Sequence, residues 1–229
     1  MLTDATARLA IFDHDGVLVD SFGFHQDAWL ELGRREGLPI TPEFILETFG
    51  MTNPSIFRKL LGDTLAPEEV QRFSDLKELC YRDLAGPQLE LLDGVRPLLD
   101  ALTSHEIRIA IGSSAPRANL DLTVERCGLL NRFAAIAALE DIERGKPDPR
   151  VFLLAAERAG VSPARSVVFE DAVVGIQAAK AAGMHAVGIT TTRPRQELLD
   201  AGADLVIDHF SELDLPPLLT HLSRTLEAT

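Results

Sequence analysis

Four short segments, far apart in the chain, hold residue types that could do chemistry together: Phe12-Asp13-His14-Asp15-Gly16-Val17, Ile111-Gly112-Ser113-Ser114, Gly145-Lys146-Pro147-Asp148-Pro149 and Phe169-Glu170-Asp171. Between them they offer a carboxylate nucleophile, a second carboxyl to exchange a proton, hydroxyls, a cation and oxygen ligands for a metal. That is the set needed to move a phosphoryl group through an aspartyl phosphate.

Asp13 and Asp15 stand two apart at the end of an apolar run, so their side chains start on the same side of an extended chain. Alternation then points His14 the other way, which predicts a packing histidine. Gly16 lets the backbone turn sharply after the pair. Ser113 ends a second apolar run just before Pro116, and a hydroxyl beside the free N–H groups of a helix start suits a phosphate oxygen. Lys146 would offset the repulsion between Asp13 and an incoming phosphate. Glu170 and Asp171 are adjacent acids whose approach to Asp13 needs compensation. Mg²⁺, a hard ion that takes oxygen ligands, is the natural one. Each segment also has a plainer reading: a solvated Asp-x-Asp loop, helix-capping Ser113 and Asp171, and a solvated Lys146.

The strands and helices that would hold these residues are also legible in the pattern. Apolar runs of strand type occur at Leu9–Phe12, Ile107–Ile111, Ala134–Ala138, Ser166–Phe169, His185–Ile189 and Asp204–Ile207. Helical spacing lies between them. One helix is predicted with Asp148 as N-cap, Pro149 in the first turn and Gly160 as its stop; another runs from Ala172 to Ala182 and stops at Gly183. Such alternation predicts a doubly wound α/β sheet, in which ligands bind beyond the carboxyl ends of the strands. All four segments fall at such ends. Residues 22–85 break the pattern, with helical spacing at Phe24, Ala28, Leu32, Phe57, Leu60 and Leu61. Pro39, Pro42, Pro54 and Pro67 mark helix entries or turns. This predicts a helical block over the site, rejoining the core near Gly86-Pro87 and Gly94.

The net charge of −13 argues against a nucleic-acid partner, which needs clustered Lys and Arg. It also means that an anionic substrate requires a cation and a few placed basic groups to enter. Cys80 and Cys127 predict two buried free thiols in a reducing compartment. The start, Met1-Leu2-Thr3-Asp4-Ala5, lacks a basic signal-peptide opening. No apolar run reaches the roughly 20 residues needed to cross a bilayer. The expectation is a cytoplasmic protein with no membrane partner, a monomer by default.

The motifs "FDHDGVLVDS", "GSS", "GKPDP" and "VVFEDAVVGIQAAKAAGM" resemble, in order and over nearly the whole chain, those of the haloacid dehalogenase superfamily of phosphotransferases. The resemblance implies a Rossmann-like core of residues 1–16 and 87–229, with a cap of four or five helices inserted at 17–86. It implies Asp13 as nucleophile, Asp15 as general acid/base, and Ser113, Ser114 and Lys146 as holders of the phosphoryl group. Mg²⁺ would be bound by Asp13, the Asp15 carbonyl and Asp171, with Glu170 beside it. True dehalogenases lack the acid at the Asp15 position, so that activity is not expected.

"VDSFGFHQDAW" further resembles the β-phosphoglucomutase-like branch, which places His25 in the cap facing the acid/base. Lys77, four residues before Tyr81, matches a cap lysine that touches substrate. Asn53, in "GMTNPSIF", departs from the branch, standing where the mutase has an arginine clamp for a distal phosphate. Ala115-Pro116 likewise replace polar residues, although Arg117 is near. The expectation is therefore a Mg²⁺-dependent phosphatase of a small phosphorylated metabolite, a sugar phosphate first. A β-phosphoglucomutase-type phosphotransferase is the alternative. Phosphonoacetaldehyde hydrolysis would need Lys59 or Lys77 as a Schiff-base lysine, and a non-catalytic binding module would be expected to lose one of these site residues. Trp29 is expected in the cap core, with Phe22 and Phe24 lining the pocket or packing.

Overall fold

Six short strands, each long enough to cross the core once, form a single parallel sheet in the computed structural model, which describes residues 7–224. They are β1 (Leu9–Phe12), β2 (Arg108–Gly112), β3 (Ala135–Ala137), β4 (Ser166–Glu170), β5 (His185–Ile189) and β6 (Leu205–Ile207), in the order β3-β2-β1-β4-β5-β6. The chain moves outward from β1 in both directions, so the strand order reverses beside β1. That is where a doubly wound sheet opens a crevice.

Successive residues of a strand serve opposite faces. Ala10, Phe12, Ile109, Ile111, Val167 and Phe169 join one apolar cluster, whereas Leu9, Ile11, Ala110 and Val168 join the other. The Phe12 and Phe169 rings stack at 4.6 Å between centroids. Each such fully buried side chain contributes about 1.5–3 kcal/mol. The faces are covered by α5 (Val95–Ser104), α6 (Arg117–Arg126), α7 (Arg150–Ala159), α8 (Val173–Ala181), α9 (Arg195–Asp200) and α10 (Leu215–Arg224). Asp148 is not the N-cap of α7: Pro149 holds that position, and Asp148 Oδ1 accepts the Arg150 N–H at 3.0 Å from one residue further out. Helix α7 ends before Gly160 and α8 before Ala182-Gly183.

The helical block consists of four helices between β1 and α5. They are α1 (Phe22–Glu36), α2 (Pro42–Thr48), α3 (Asn53–Leu61) and α4 (Pro67–Ala85). Pro42, Pro54 and Pro67 sit in first turns, where a missing N–H removes no helical bond. Pro39 lies in the connection before α2. Trp29, Leu32, Ile45, Ile56, Phe57 and Phe73 form the block's own apolar cluster. Ala28, Tyr81 and Ala85 belong instead to the cluster under the sheet, so the feet of α1 and α4 are rooted in the core. Phe22 packs on the block's cluster and Phe24 on the core's. Cys127 is buried as expected; Cys80 is only half-buried, and both thiols are free. Among the described residues no helix is long and apolar enough to cross a membrane.

Candidate active site

Register brings three of the four segments together. Phe12 pairs with Ile111 on one side and Phe169 on the other, so the residues that follow these three emerge side by side. The Asp13 N–H donates to the Phe169 carbonyl at 3.0 Å, extending the ladder one residue into the site. Asp13, Ser113, Lys146, Glu170 and Asp171 are all nearly or fully removed from solvent.

Lys146 is the buried cation of this group. Its Nζ donates to Glu170 Oε1 at 2.6 Å and lies 2.9 Å from Asp13 Oδ1, an ion-pair contact without hydrogen-bond alignment. Burial would lower its proton affinity, but Asp13 and Glu170 outweigh that and raise it. One ammonium cannot balance three carboxylates. Carboxylate oxygens of Asp13, Glu170 and Asp171 lie within 4.8 Å of one another. Burial, then the charges of Glu170 and Asp13, push the Asp171 carboxyl well above the usual range, and burial likewise raises Glu170. Asp13 Oδ1 and Asp171 Oδ1 are buried with no hydrogen-bond partner. Crowded acids with unpaired oxygens fit a hard divalent cation.

Neighbouring groups fix the acids in place. The Glu170 Oε2 atom accepts the N–H groups of Asp171 and Ala172, both at 2.8 Å. Thr192 Oγ1 donates to Asp171 Oδ2 at 2.6 Å, while Thr191 Oγ1 donates to the Gly16 carbonyl at 2.6 Å. Asp171 therefore does not cap α8, whose N-cap is Ala172. Gly16 has φ 73°, and a Cβ there would fall 2.0 Å from Asp171 Oδ2. Only glycine lets the turn after β1 come this close to the acid.

Asp15 has a different set of partners. Its Oδ1 accepts from Ser21 Oγ at 2.6 Å and His25 Nε2 at 2.9 Å, with His14 Nδ1 at 3.0 Å. Burial would raise this carboxyl, but the imidazoles of His14 and His25 beside it overcome that and hold the group well below its usual range. Here the expected alternation fails: His14 does not point away from both acids. Extended structure stops at Phe12, and the tight turn beyond it swings the ring between Asp15 and Thr123 Oγ1, which is 2.6 Å from Nε2.

A cavity opens between Asp13, Ser113 and Ser114 on the core side and the helical block on the other. The Ser114 hydroxyl beside it is buried and unpartnered. His25, Asn53 and Lys77 line the opposite side, with Trp29 and Glu78, and Asp15 does not line it. Lys77 Nζ donates to His25 Nδ1 at 2.7 Å and to Glu78 Oε1 at 2.8 Å. An ammonium can only donate, so Nδ1 accepts, and the Nε2–H is left for Asp15. Burial and the Lys77 charge lower the His25 proton affinity, consistent with that neutral tautomer. His25 stacks on Tyr81 at 3.9 Å. The Asn53 amide donates to Glu78 Oε1 at 2.9 Å. Arg117 pairs with Asp121 at the surface, and Lys59 with Glu47; neither lines the cavity.

Sequence reasoning missed Ser21, Glu78, Thr191 and Thr192. The threonines had a signal, since Thr190-Thr191-Thr192 directly follows the carboxyl end of β5. So did Glu78: Phe73, Lys77, Tyr81 and Ala85 recur every four residues on the buried face of α4, which carries Lys77 and Glu78 inward.

A family model described as haloacid dehalogenase-like hydrolase matches residues 7–183. The chain is 31% identical over 221 residues to validoxylamine A 7′-phosphate phosphatase of Streptomyces hygroscopicus subsp. limoneus, covering 91% of this chain and 97% of that protein. It is 33% identical over 208 residues to the chloroplastic 5-amino-6-(5-phospho-D-ribitylamino)uracil phosphatase of Arabidopsis thaliana, covering 90% of this chain but spanning only 55% of that longer protein. The crystal structure of β-phosphoglucomutase from Clostridium difficile superposes with a TM-score of 0.83 at 26% identity, covering 97% and 99% of the two chains.

Proposed function

The chain belongs to the haloacid dehalogenase-like hydrolases, and from that premise we propose that it is a Mg²⁺-dependent phosphatase of a small phosphorylated metabolite, a sugar phosphate first. The observation that carries this reading is the buried Asp13–Glu170–Asp171 cluster, in which Asp13 Oδ1 and Asp171 Oδ1 have no hydrogen-bond partner beside a single ammonium, with Asp13 and Ser114 lining one cavity. Bound by Asp13 and Asp171, with Glu170 close by, Mg²⁺ would neutralise phosphate charge and draw a phosphate oxygen toward Asp13.

Asp13 is the nucleophile. Its carboxylate lines the cavity beside Lys146, and attack on phosphorus would leave an aspartyl phosphate. The hydroxyls of Ser113 and Ser114, which line the cavity with Asp13, would hold the transferred group's oxygens. Asp15 is the general acid/base. Held by His14, His25 and Ser21 it is a carboxylate, the form that activates water for the second half-reaction. Rotation toward the leaving oxygen would separate it from both histidines and raise its proton affinity, the form that protonates an alkoxide. The same reading treats residues 17–86 as a cap over a core of 1–16 and 87–229, and the protein as a monomer.

The contacts of His25 and Lys77, and the resemblance to a β-phosphoglucomutase structure, keep a phosphomutase as the second reading. Against it, Asn53 offers one amide already bonded to Glu78, where a mutase needs a firm hold on a second phosphate. Phosphate release over a panel of phosphometabolites, with Mg²⁺ and with EDTA, tests the leading reading. No release in either condition overturns it. Phosphorus NMR of β-glucose 1-phosphate turnover separates the two readings: glucose and inorganic phosphate are expected, and glucose 6-phosphate would favour the mutase.

A further inference from the structure

Glu78 takes no part in the steps above, yet it is the most elaborately held carboxylate on the cap side of the cavity. Its Oε1 accepts from Asn53 Nδ2 at 2.9 Å and Lys77 Nζ at 2.8 Å, and its Oε2 accepts from Asn119 Nδ2 at 2.7 Å. Arg82 Nη1 donates in turn to Asn119 Oδ1 at 3.0 Å. Helices α3, α4 and α6 thus converge on one buried anion that lines the cavity. A buried charge is destabilising unless it is paired and hydrogen-bonded, and as a spacer an apolar residue would serve better.

The charge balance of the cavity suggests what Glu78 does. Its charged lining groups are Asp13, Lys77 and Glu78. Lys77 is matched by Glu78 and bonded to a neutral His25, so the cap side holds no unmatched cation. Arg82 stands behind Asn119, and Arg117 is exposed in its pair with Asp121. The rest of the cap wall carries no charge: Trp29, Ile45, Met51 and Ile56 are apolar, and the Thr48 hydroxyl donates to the Phe44 carbonyl of its own helix at 2.8 Å. A carboxylate or second phosphate entering there would lose its water and meet a buried anion, a juxtaposition that binding sites use to reject wrong partners. A hydroxyl fares differently. Two of the three Lys77 N–H groups are taken and three of about four acceptor positions on Glu78 are filled, which leaves a donor and an acceptor for one or two hydroxyls.

We infer that Glu78, with Lys77 and Asn53, is a charge filter that sets the substrate class: phosphomonoesters with an uncharged, hydroxylated leaving group, to the exclusion of esters bearing a second phosphate or a carboxylate. This rests on the phosphatase reading above. It predicts discrimination within matched pairs of identical skeleton, measured as kcat/KM for phosphate release with Mg²⁺. Suitable pairs are sorbitol 6-phosphate against 6-phosphogluconate and fructose 1-phosphate against fructose 1,6-bisphosphate. The uncharged member is expected to be favoured by at least about 10²-fold. Glu78→Gln should compress that ratio at least tenfold, and Asn53→Arg, which adds an unmatched cation, should compress it for the bisphosphate pair. Should either variant fail to fold, the wild-type ratios still decide. Turnover of both members within tenfold of each other, or a preference for the charged one, overturns the filter while the phosphatase reading stands. Release of phosphate from no member overturns the phosphatase reading and the filter with it.

Discussion

Two aspartates of the same type, two residues apart, are given opposite characters by their surroundings. Asp13 lies against Lys146, Glu170 and Asp171, its Oδ1 in ion-pair contact with Lys146 but without a hydrogen-bond partner. Asp15 accepts from Ser21 and His25 and has His14 Nδ1 at ion-pair distance. Asp13→Asn should therefore abolish both turnover and formation of a labelled phospho-enzyme. Asp15→Asn should keep substrate binding and lower kcat by about 10²–10⁴-fold. Single-turnover kinetics and mass labelling of the modified residue distinguish the two. Glu78 predicts a pH effect on stability. Burial would raise its carboxyl, but Lys77, His25 and Asn119 outweigh it and hold the group at about 2 against an ordinary 4.5. A depressed acid contributes stability that is complete above its unfolded value and is lost as pH falls through the folded one. The gap in unfolding free energy between wild type and Glu78→Gln should narrow by up to about 3 kcal/mol from pH 5 to pH 2, in urea titrations across that range.

Closure of the helical block over the site depends on a few tight contacts between loops. A Cβ at Gly145 would lie 2.4 Å from Thr52 Cγ2, just before α3, and one at Gly50 would lie 2.9 Å from Ala172 Cβ. Arg193 also donates to the Leu46 carbonyl of α2. The segment holding Lys146 thus touches the loop that leads to Asn53. Gly145→Ala should force the two apart at a penalty of about 1–3 kcal/mol, as overpacking does, and lower kcat/KM by roughly ten- to a hundredfold. Thr52→Ser removes the obstructing methyl and should restore most of that loss in the double variant. Failure of this rescue in steady-state kinetics would show that Gly145 matters for another reason.

At the scale of the molecule, the chain concentrates buried negative charge at the carboxyl edge of a sheet whose strands are otherwise apolar on both faces. A cation that binds only the folded state stabilises it by mass action, about 2.7 kcal/mol at a hundred times its dissociation constant. For a chain of this size that raises Tm by about 5–10 °C. Saturating Mg²⁺ should produce such a shift in the metal-free protein. Asp171→Asn should lose most of it, in thermal unfolding followed by circular dichroism.

The sheet follows directly from the amino-acid pattern, because each strand is a short apolar run whose alternate residues must be buried on two faces. Leu9–Phe12 and Ser166–Phe169 could hardly fold otherwise. The pattern also determined that Asp13, Ser113, Lys146, Glu170 and Asp171 share one site, since all of them follow strands or open helices at the same edge. Strand periodicity misled at His14, because it ends with the strand: only the turn at Gly16 decides where that ring goes. Contacts between distant segments were likewise invisible. Thr192 reaches Asp171 across 21 residues, and Asn119 reaches Glu78 across 41, in a pairing that needs α4 and α6 to be docked first. Spacing along a chain fixes which face a side chain occupies, but the partner it finds there depends on how the elements pack. The chemistry at the sheet edge is therefore written in the residue pattern, whereas the charge balance of the cavity above it arises only when the elements dock.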